Sequence, residues 1–314
     1  MDLPAKWNKH RDISPAQALQ LVFENYKPNT RRAYARVFRD FQEWAAIQDM
    51  EDFKHLNSLS ILEYKSHLKA QGKKPASINQ TMSALRNVFK VLTEFQYLSK
   101  NPFKSSVIRN EKVSDISTKG ALRLTHLSAM MEANDQESYD VRVADLMRKR
   151  NGLLLRFLYF TAARRSEVAD LNWEDIQQDG EFHVAFIRNT KSGVPQRLKI
   201  RDELYVELQE WKEDLQLAGL EKPWVFISLG FRTRGKKMTG KGVNDVIVRL
   251  GKAIGLDISA HYMRHTAITI ALEMGESLQK VQAYARHSSA NTTIRYFHDQ
   301  ELLKKNPTDR LPRI

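Results

Sequence analysis

The sequence predicts a mainly α protein with a small antiparallel β-sheet, built as an N-terminal helical domain followed by a mixed α/β domain. Three observations predict it. Residues 14–104 repeat apolar side chains every three or four positions, with no alternating stretch. Residues 105–119 are polar, small and aperiodic, which is the composition of a linker. From residue 120 onward, helical patterns are interrupted by only two short alternating runs, Phe182-Val184-Phe186 and Leu198-Ile200. The expected organisation is a helical domain over 1–104, a linker over 105–119 and a second domain over 120–314, whose last residues, from about 297, form a tail.

In the first domain, Ser14-Pro15 opens a helix with a cap and a proline at its first position. Thr30 reads as the cap of a second helix, which carries Tyr34, Val37, Phe38, Phe41 and Trp44 on one face. A third starts at Ser58 or Ser60, carries Leu62, Tyr64 and Leu68, and ends at Gln71-Gly72. A fourth runs from Pro75 to Tyr97, with Ile78, Met82, Leu85, Val88, Phe89 and Leu92 inward, and Asn101-Pro102 stops it. In the second domain Thr125 caps a helix through Met130, and a long apolar helix follows from about Val141 to Ala162. The two alternating runs are joined through a turn at Lys191-Ser192-Gly193. Helices are then expected at 202–217, 240–254, 262–274 and 277–285. No internal repeat is visible.

The chain contains no cysteine, which excludes disulfides, thiolate metal sites and a cysteine nucleophile. Its apolar runs are too short to span a bilayer, and no apolar signal region follows the first charges, so a cytoplasmic location is expected. The net charge is +13, which points to a polyanionic partner, most simply nucleic acid. Residues 1–104 hold 17 Lys/Arg against 10 Asp/Glu, a net +7, so the excess is denser in the first third.

Three clusters in the second domain carry chemistry. The first is Thr161-Ala162-Ala163-Arg164-Arg165-Ser166-Glu167; alone, its arginines would do no more than cap the negative end of the preceding helix. The second is His261-Tyr262-Met263-Arg264-His265-Thr266, with His261 and Arg264 on one helical face. The pair His261 and His265 is spaced for zinc, but Tyr262 stands where the metalloprotease motif needs Glu, so no metal is expected. The third runs from His287 to Tyr296. The stretch from Gly235 to Gly242 nearly spells a phosphate-binding loop, yet Gly242 lacks the hydroxyl that would hold Mg²⁺. It reads instead as a basic loop before a helix.

Together the clusters resemble the tyrosine recombinase (phage integrase) family. The match runs through Arg164 with Ser166 and Glu167 in register, Lys191 in the hairpin turn, His261-x-x-Arg264, His287-Ser288-Ser289, and Tyr296 nine residues after His287. The chain departs from the family pattern at Ala162 and Arg286, where Gly is usual. Asn29-Thr30-x-x-x-Tyr34 and Lys100-Asn101-Pro102 extend the resemblance to the family's core-binding domain, so that it covers about residues 15–298.

The resemblance implies a site-specific recombinase that cuts DNA through a 3′-phosphotyrosyl bond and rejoins it, with no metal, ATP or other cofactor. It makes Tyr296 the nucleophile and places Arg164, Arg264 and His287 on the scissile phosphate. It makes His261 the base, Lys191 the acid on the leaving 5′ oxygen, and Glu167 an orienting group behind them. Thr30, Arg31, Arg32, Lys73, Lys74, Asn79, Arg86, Lys236 and Lys241 are the expected DNA contacts. The implied partners are a double-stranded recombination site, three further copies of the chain in a tetramer on two sites, and an accessory DNA-bending protein. A type IB topoisomerase or a telomere resolvase would share this chemistry, but the Asn29-to-Tyr34 entry and compact size favour a recombinase. A non-catalytic DNA-binding accessory protein is opposed by the complete catalytic set.

Overall fold

The computed structural model describes residues 15–103, 107–113, 121–137, 143–190, 193–287 and 289–294. Ser14, Lys191, Tyr296 and the tail from residue 297 lie outside the described residues. The chain divides into two compact units, Met1–Ser114 and Asp115–Ile314.

The described part of the first unit contains helices α1 (Pro15–Glu24), α2 (Pro28–Trp44), α3 (Met50–Lys54), α4 (Ser58–Ala70) and α5 (Pro75–Glu94). Helix α2 starts before the expected cap Thr30. Pro28 has its φ preset for the first helical turn and forces Lys27 into the extended region, so the helix begins there and Thr30 lies within it. Helix α4 is capped by Asn57, whose Oδ1 accepts from the Leu59 and Ser60 amides at 2.8 and 3.4 Å. The Ser60 hydroxyl in turn accepts from the Asn57 amide, so Ser60 closes the box and does not start the helix. Helix α5 stops at Glu94, short of the expected Tyr97, because the chain turns left-handed at Gln96. The five-residue α3 is too short to leave a period in the sequence.

These helices meet on Phe41, which is fully buried and set edge-on to Tyr64 and Phe89, with ring centroids 5.0 and 5.6 Å away. Ile61, Met82, Leu85 and Leu92 fill the space around it. Each such side chain contributes about 1.5–3 kcal/mol through burial. Part of the expected linker belongs to this unit. Ile108 is buried, the Lys65 ammonium donates to the Arg109 carbonyl at 2.5 Å, and Glu111 pairs with Lys65 at 2.6 Å and Lys69 at 2.9 Å. An extended segment held by side chain to main chain bonds has no period, so composition alone reads it as linker.

The described part of the second unit contains α6 (Leu124–Gln136), α7 (Ala144–Thr161), α8 (Arg165–Ala169), α9 (Asp202–Leu217), α10 (Gly240–Ala253), α11 (Ala260–Glu273), α12 (Leu278–Ala285) and α13 (Ala290–Ile294). Helix α7 is its centre: Leu153, Leu154, Leu155, Phe157 and Leu158 point in different directions and are all buried. Helix α6 begins with Arg123 at its cap, whose amide donates to His126 Nδ1, so the expected cap Thr125 lies inside the first turn. The antiparallel sheet has three strands, β1 (Ile176–Asp179), β2 (Phe182–Ile187) and β3 (Gln196–Ile200), in that order, with Ala185 between Ile176 and Leu198. Strand β1 reads Ile-Gln-Gln-Asp and shows no alternation; pairing with β2 makes it a strand.

The near phosphate-binding loop is spoken for by the fold. Thr239 caps α10, its hydroxyl accepting from the Gly242 amide at 3.0 Å, and the Met238 amide bonds the Phe226 carbonyl. Among the described residues no helix is long and apolar enough to cross a membrane.

The Lys65 and Lys69 contacts to Glu111 differ in burial, and their loss should differ accordingly. Lys65→Ala removes a buried charged donor from a carbonyl and a carboxylate and should cost about 1–3 kcal/mol of stability. Lys69→Ala removes a half-exposed partner and should cost less than about 1 kcal/mol. Urea unfolding of the intact chain measures both, and equal losses would contradict this assignment.

Candidate active site

The site grows from the ends of two helices. Helix α7 finishes on Ala162 and α12 on Arg286, and both residues are left-handed, with φ of 47° and 55°. That conformation is the one glycine adopts without strain. Between these ends lies Arg264 of α11, only 2% exposed. Its Nη1 donates to the Ala162 carbonyl at 2.5 Å and its Nη2 to the Ala285 carbonyl. The Tyr284 hydroxyl, within reach of the Tyr159 and Phe160 carbonyls at 3.2 and 3.0 Å, adds a second tie between the same helices.

The left-handed Ala162 turns the chain so that Arg164 becomes the cap of the short helix α8. Glu167, buried one turn later, folds back on it. One carboxylate oxygen accepts from the Arg164 amide and the other from Arg164 Nη1, each at 2.8 Å. Arg286 Nη2 donates to the first of these oxygens at 2.9 Å. Burial by itself would raise the Glu167 pKa; the charge of Arg286 and the bonds from Arg164 outweigh it and hold the carboxyl below its ordinary value. Glu167 is therefore an anion clasped by two guanidinium groups. The Arg164 side chain remains about one-third exposed, open to a ligand, while that of Arg286 is buried.

Two histidines share this positive field. His261 sits in the first turn of α11, one turn before Arg264. Its pKa is lowered by desolvation, then by Arg264, Arg164 and Arg165. His287 follows Arg286 directly, and its pKa is lowered to about 4 by desolvation, then by Arg264, Arg164, His261 and Arg286. Both rings are thus neutral near neutral pH. Thr293, fully buried on α13, lies 2.9 Å from His287 Nδ1. When its hydroxyl donates to Nδ1, the ring proton sits on Nε2 and can be given to a ligand. The cluster around Glu167 thus holds cationic guanidiniums and two neutral imidazoles, groups whose chemistry can oppose the charge of an anionic ligand.

The profile of the phage integrase family matches residues 120–302, and that of the phage integrase N-terminal SAM-like domain matches residues 20–96. The chain belongs to the phage integrase family. A tyrosine recombinase of Synechococcus elongatus is 27% identical over 97% of this chain and 96% of its own length. XerC of Bacillus licheniformis is 26% identical over 93% of each. Among solved structures, XerH bound to a palindromic difH substrate has a TM-score of 0.69 at 20% identity, covering 96% of this chain and 86% of that one. A lambda integrase dimer bound to a core site has a TM-score of 0.68 at 16% identity, covering 92% and 96%.

Of the residues expected from the family pattern, the fold gathers Arg164, Glu167, His261, Arg264 and His287. Lys191 and Tyr296 lie outside the described residues. The sequence did not single out Thr293, or the ion pair between Arg286 and Glu167, because each is a contact between segments far apart or of no motif value. The expected DNA contacts divide. Arg31, Lys73, Lys74 and Lys236 are exposed. Arg32 is exposed but bonded to Asn29 and the Pro28 carbonyl, and Lys241 is paired with Asp245. Thr30 is half-buried within α2. Asn79 exchanges two hydrogen bonds with the Glu111 backbone, and Arg86 is half-buried over the Phe103 ring. Both of these side chains are taken up by the folding of their own unit.

The depressed histidines fix a direction for stability against pH. Between about 4 and the ordinary 6.5, the unfolded chain binds a proton at His287 that the folded chain excludes. Stability should therefore fall as the pH drops through this window, with His261 acting in the same sense. His287→Gln should flatten the dependence of Tm on pH; an unchanged slope would contradict the assignment.

Proposed function

We propose that Tyr296 attacks a DNA phosphate held by Arg164, Arg264 and His287, forming a 3′-phosphotyrosyl bond and releasing a 5′-hydroxyl. The chain is a tyrosine site-specific recombinase in this reading, and the rejoined strand comes from a second cut site. The observation that carries it is the convergence of Arg164, Arg264, His261 and His287 in one charged cluster from three separate stretches of sequence. Cationic donors oppose the charge that builds on the non-bridging oxygens as the transition state forms. A phenol is a poor nucleophile while protonated, with a pKa near ~10. Neutral His261 is the base that takes its proton.

Lys191 is the acid for the departing 5′ oxygen. Of its rivals, Lys237 pairs with Asp170 at 2.6 Å, Lys241 with Asp245, and Lys199 lies against the Phe182 ring, which leaves the exposed Lys236 as the alternative. The phosphotyrosine conserves the energy of the broken bond, so rejoining needs no ATP. DNA is the partner, bound with steep salt dependence through the exposed arginines and lysines of both units. Lambda integrase has been seen as a tetramer on a Holliday junction, and we assign the same assembly here, on two sites. The cytoplasm, at the nucleoid, is where such a substrate lies. A non-catalytic accessory role is disfavoured because Glu167 orients Arg164 while Arg286 balances its charge, an arrangement suited to phosphate chemistry.

Tyr296→Phe should bind a nicked suicide duplex normally and give no covalent adduct on a denaturing gel; an undiminished adduct would refute the assignment. Arg164→Ala should slow cleavage about 10²–10³-fold. Replacing the bridging 5′ oxygen by sulfur makes a leaving group that needs no proton. Lys191→Ala should recover on that substrate and Arg164→Ala should not, and recovery of a Lys236 variant instead would transfer the acid role.

A further inference from the structure

Arg286 stands out because its position favours a different residue. It ends α12 in the left-handed region, with φ 55° and ψ 47°, where a side chain is tolerated at a cost that glycine avoids. The side chain nevertheless turns inward. It is 5% exposed and spends its Nη2 on Glu167, which is 1% exposed. Placing a guanidinium there also removes it from water, and only a partner of opposite charge offsets that.

Charge counting gives the reason. Glu167 grips Arg164 through both the amide and the guanidinium, which orients the fork but also places a full negative charge 2.8 Å from it. With one arginine the pair would be neutral, and the fork would oppose little of the charge developing on a phosphate. Arg286 brings a second positive charge onto the same carboxylate, so the trio carries +1 and Glu167 can orient Arg164 without cancelling it. His287, the next residue, feels the Arg286 charge as well.

We infer that Arg286 is a positioning residue for strand cleavage: it neutralises Glu167 from behind, so that Arg164 keeps its orientation and its net charge at the phosphate. The inference rests on the reading of Arg164 as a phosphate-binding catalytic group.

The test is the single-turnover rate of covalent adduct formation on a nicked suicide duplex at saturating protein, which separates chemistry from DNA binding. Arg286→Gly relieves the left-handed backbone and leaves the Arg164–Glu167 pair neutral. It should cleave roughly tenfold or more slowly, short of the ~10²–10³ expected for losing a direct donor. Arg286→Lys keeps the charge and should stay within a few-fold of the parent. The deciding variant is the double change Arg286→Gly with Glu167→Gln. It restores +1 to the cluster and should cleave faster than Arg286→Gly alone, whereas a merely structural ion pair would gain nothing from losing its second member. A parental rate for Arg286→Gly, or no recovery in the double variant, would overturn the inference. If Arg286→Gly lost its thermal unfolding transition, Arg286→Gln against Arg286→Lys would make the same comparison of charge. Arg164→Ala at the parental rate would instead refute the site itself, so the two failures are distinguishable.

Discussion

The buried guanidinium of Arg264 is the constraint on which the second unit's site depends. Helix ends present unpaired carbonyls and a partial negative charge. Two such ends, those of α7 and α12, meet at Arg264, which bonds the Ala162 and Ala285 carbonyls. The cation satisfies them, and they in turn compensate for its removal from water. Because each helix ends in a left-handed residue, the chain turns sharply there. Arg164 and His287 are each set down two residues past a carbonyl that Arg264 holds. A residue assigned to the phosphate is thus also the brace that builds the pocket, which is why its burial is nearly complete.

Around that brace the electrostatics are one-sided. Arg164 and Arg264 act on both histidines, Arg165 on His261 and Arg286 on His287, and Glu167 is the acidic group set among them. An apolar pocket could not hold a phosphate, and a wholly cationic one would not fold in its absence. One buried carboxylate between two guanidiniums is the compromise. It leaves the cluster net positive, while desolvation and the neighbouring arginines keep the imidazoles neutral.

In the helical unit the same residue types serve two ends. Lys65 has the sequence context of a surface lysine, yet it is buried and ties α4 to residues 109–111. Asn79 and Arg86 look like residues offered to DNA but hold their own unit together. Arg31, Lys73 and Lys74 are left exposed at helix starts.

Apolar spacing determined the longer helices of both units, since burial of one face every 3.6 residues leaves its mark in the chain whatever the packing partner, but the five-residue helices α3, α8 and α13 leave no such mark. Resemblance to the tyrosine recombinase pattern picked out Arg164, Glu167, His261, Arg264 and His287, which match it in order. Strand β1, the cap at Asn57, the docking of residues 107–113 and the tie from Thr293 to His287 were decided by tertiary structure. Each depends on a hydrogen bond or pairing whose partner no local pattern names. Arg286 shows the difference most clearly. In the sequence it is a departure from glycine; in the fold its left-handed backbone turns the side chain onto Glu167, because only there does a buried guanidinium find its counter-charge.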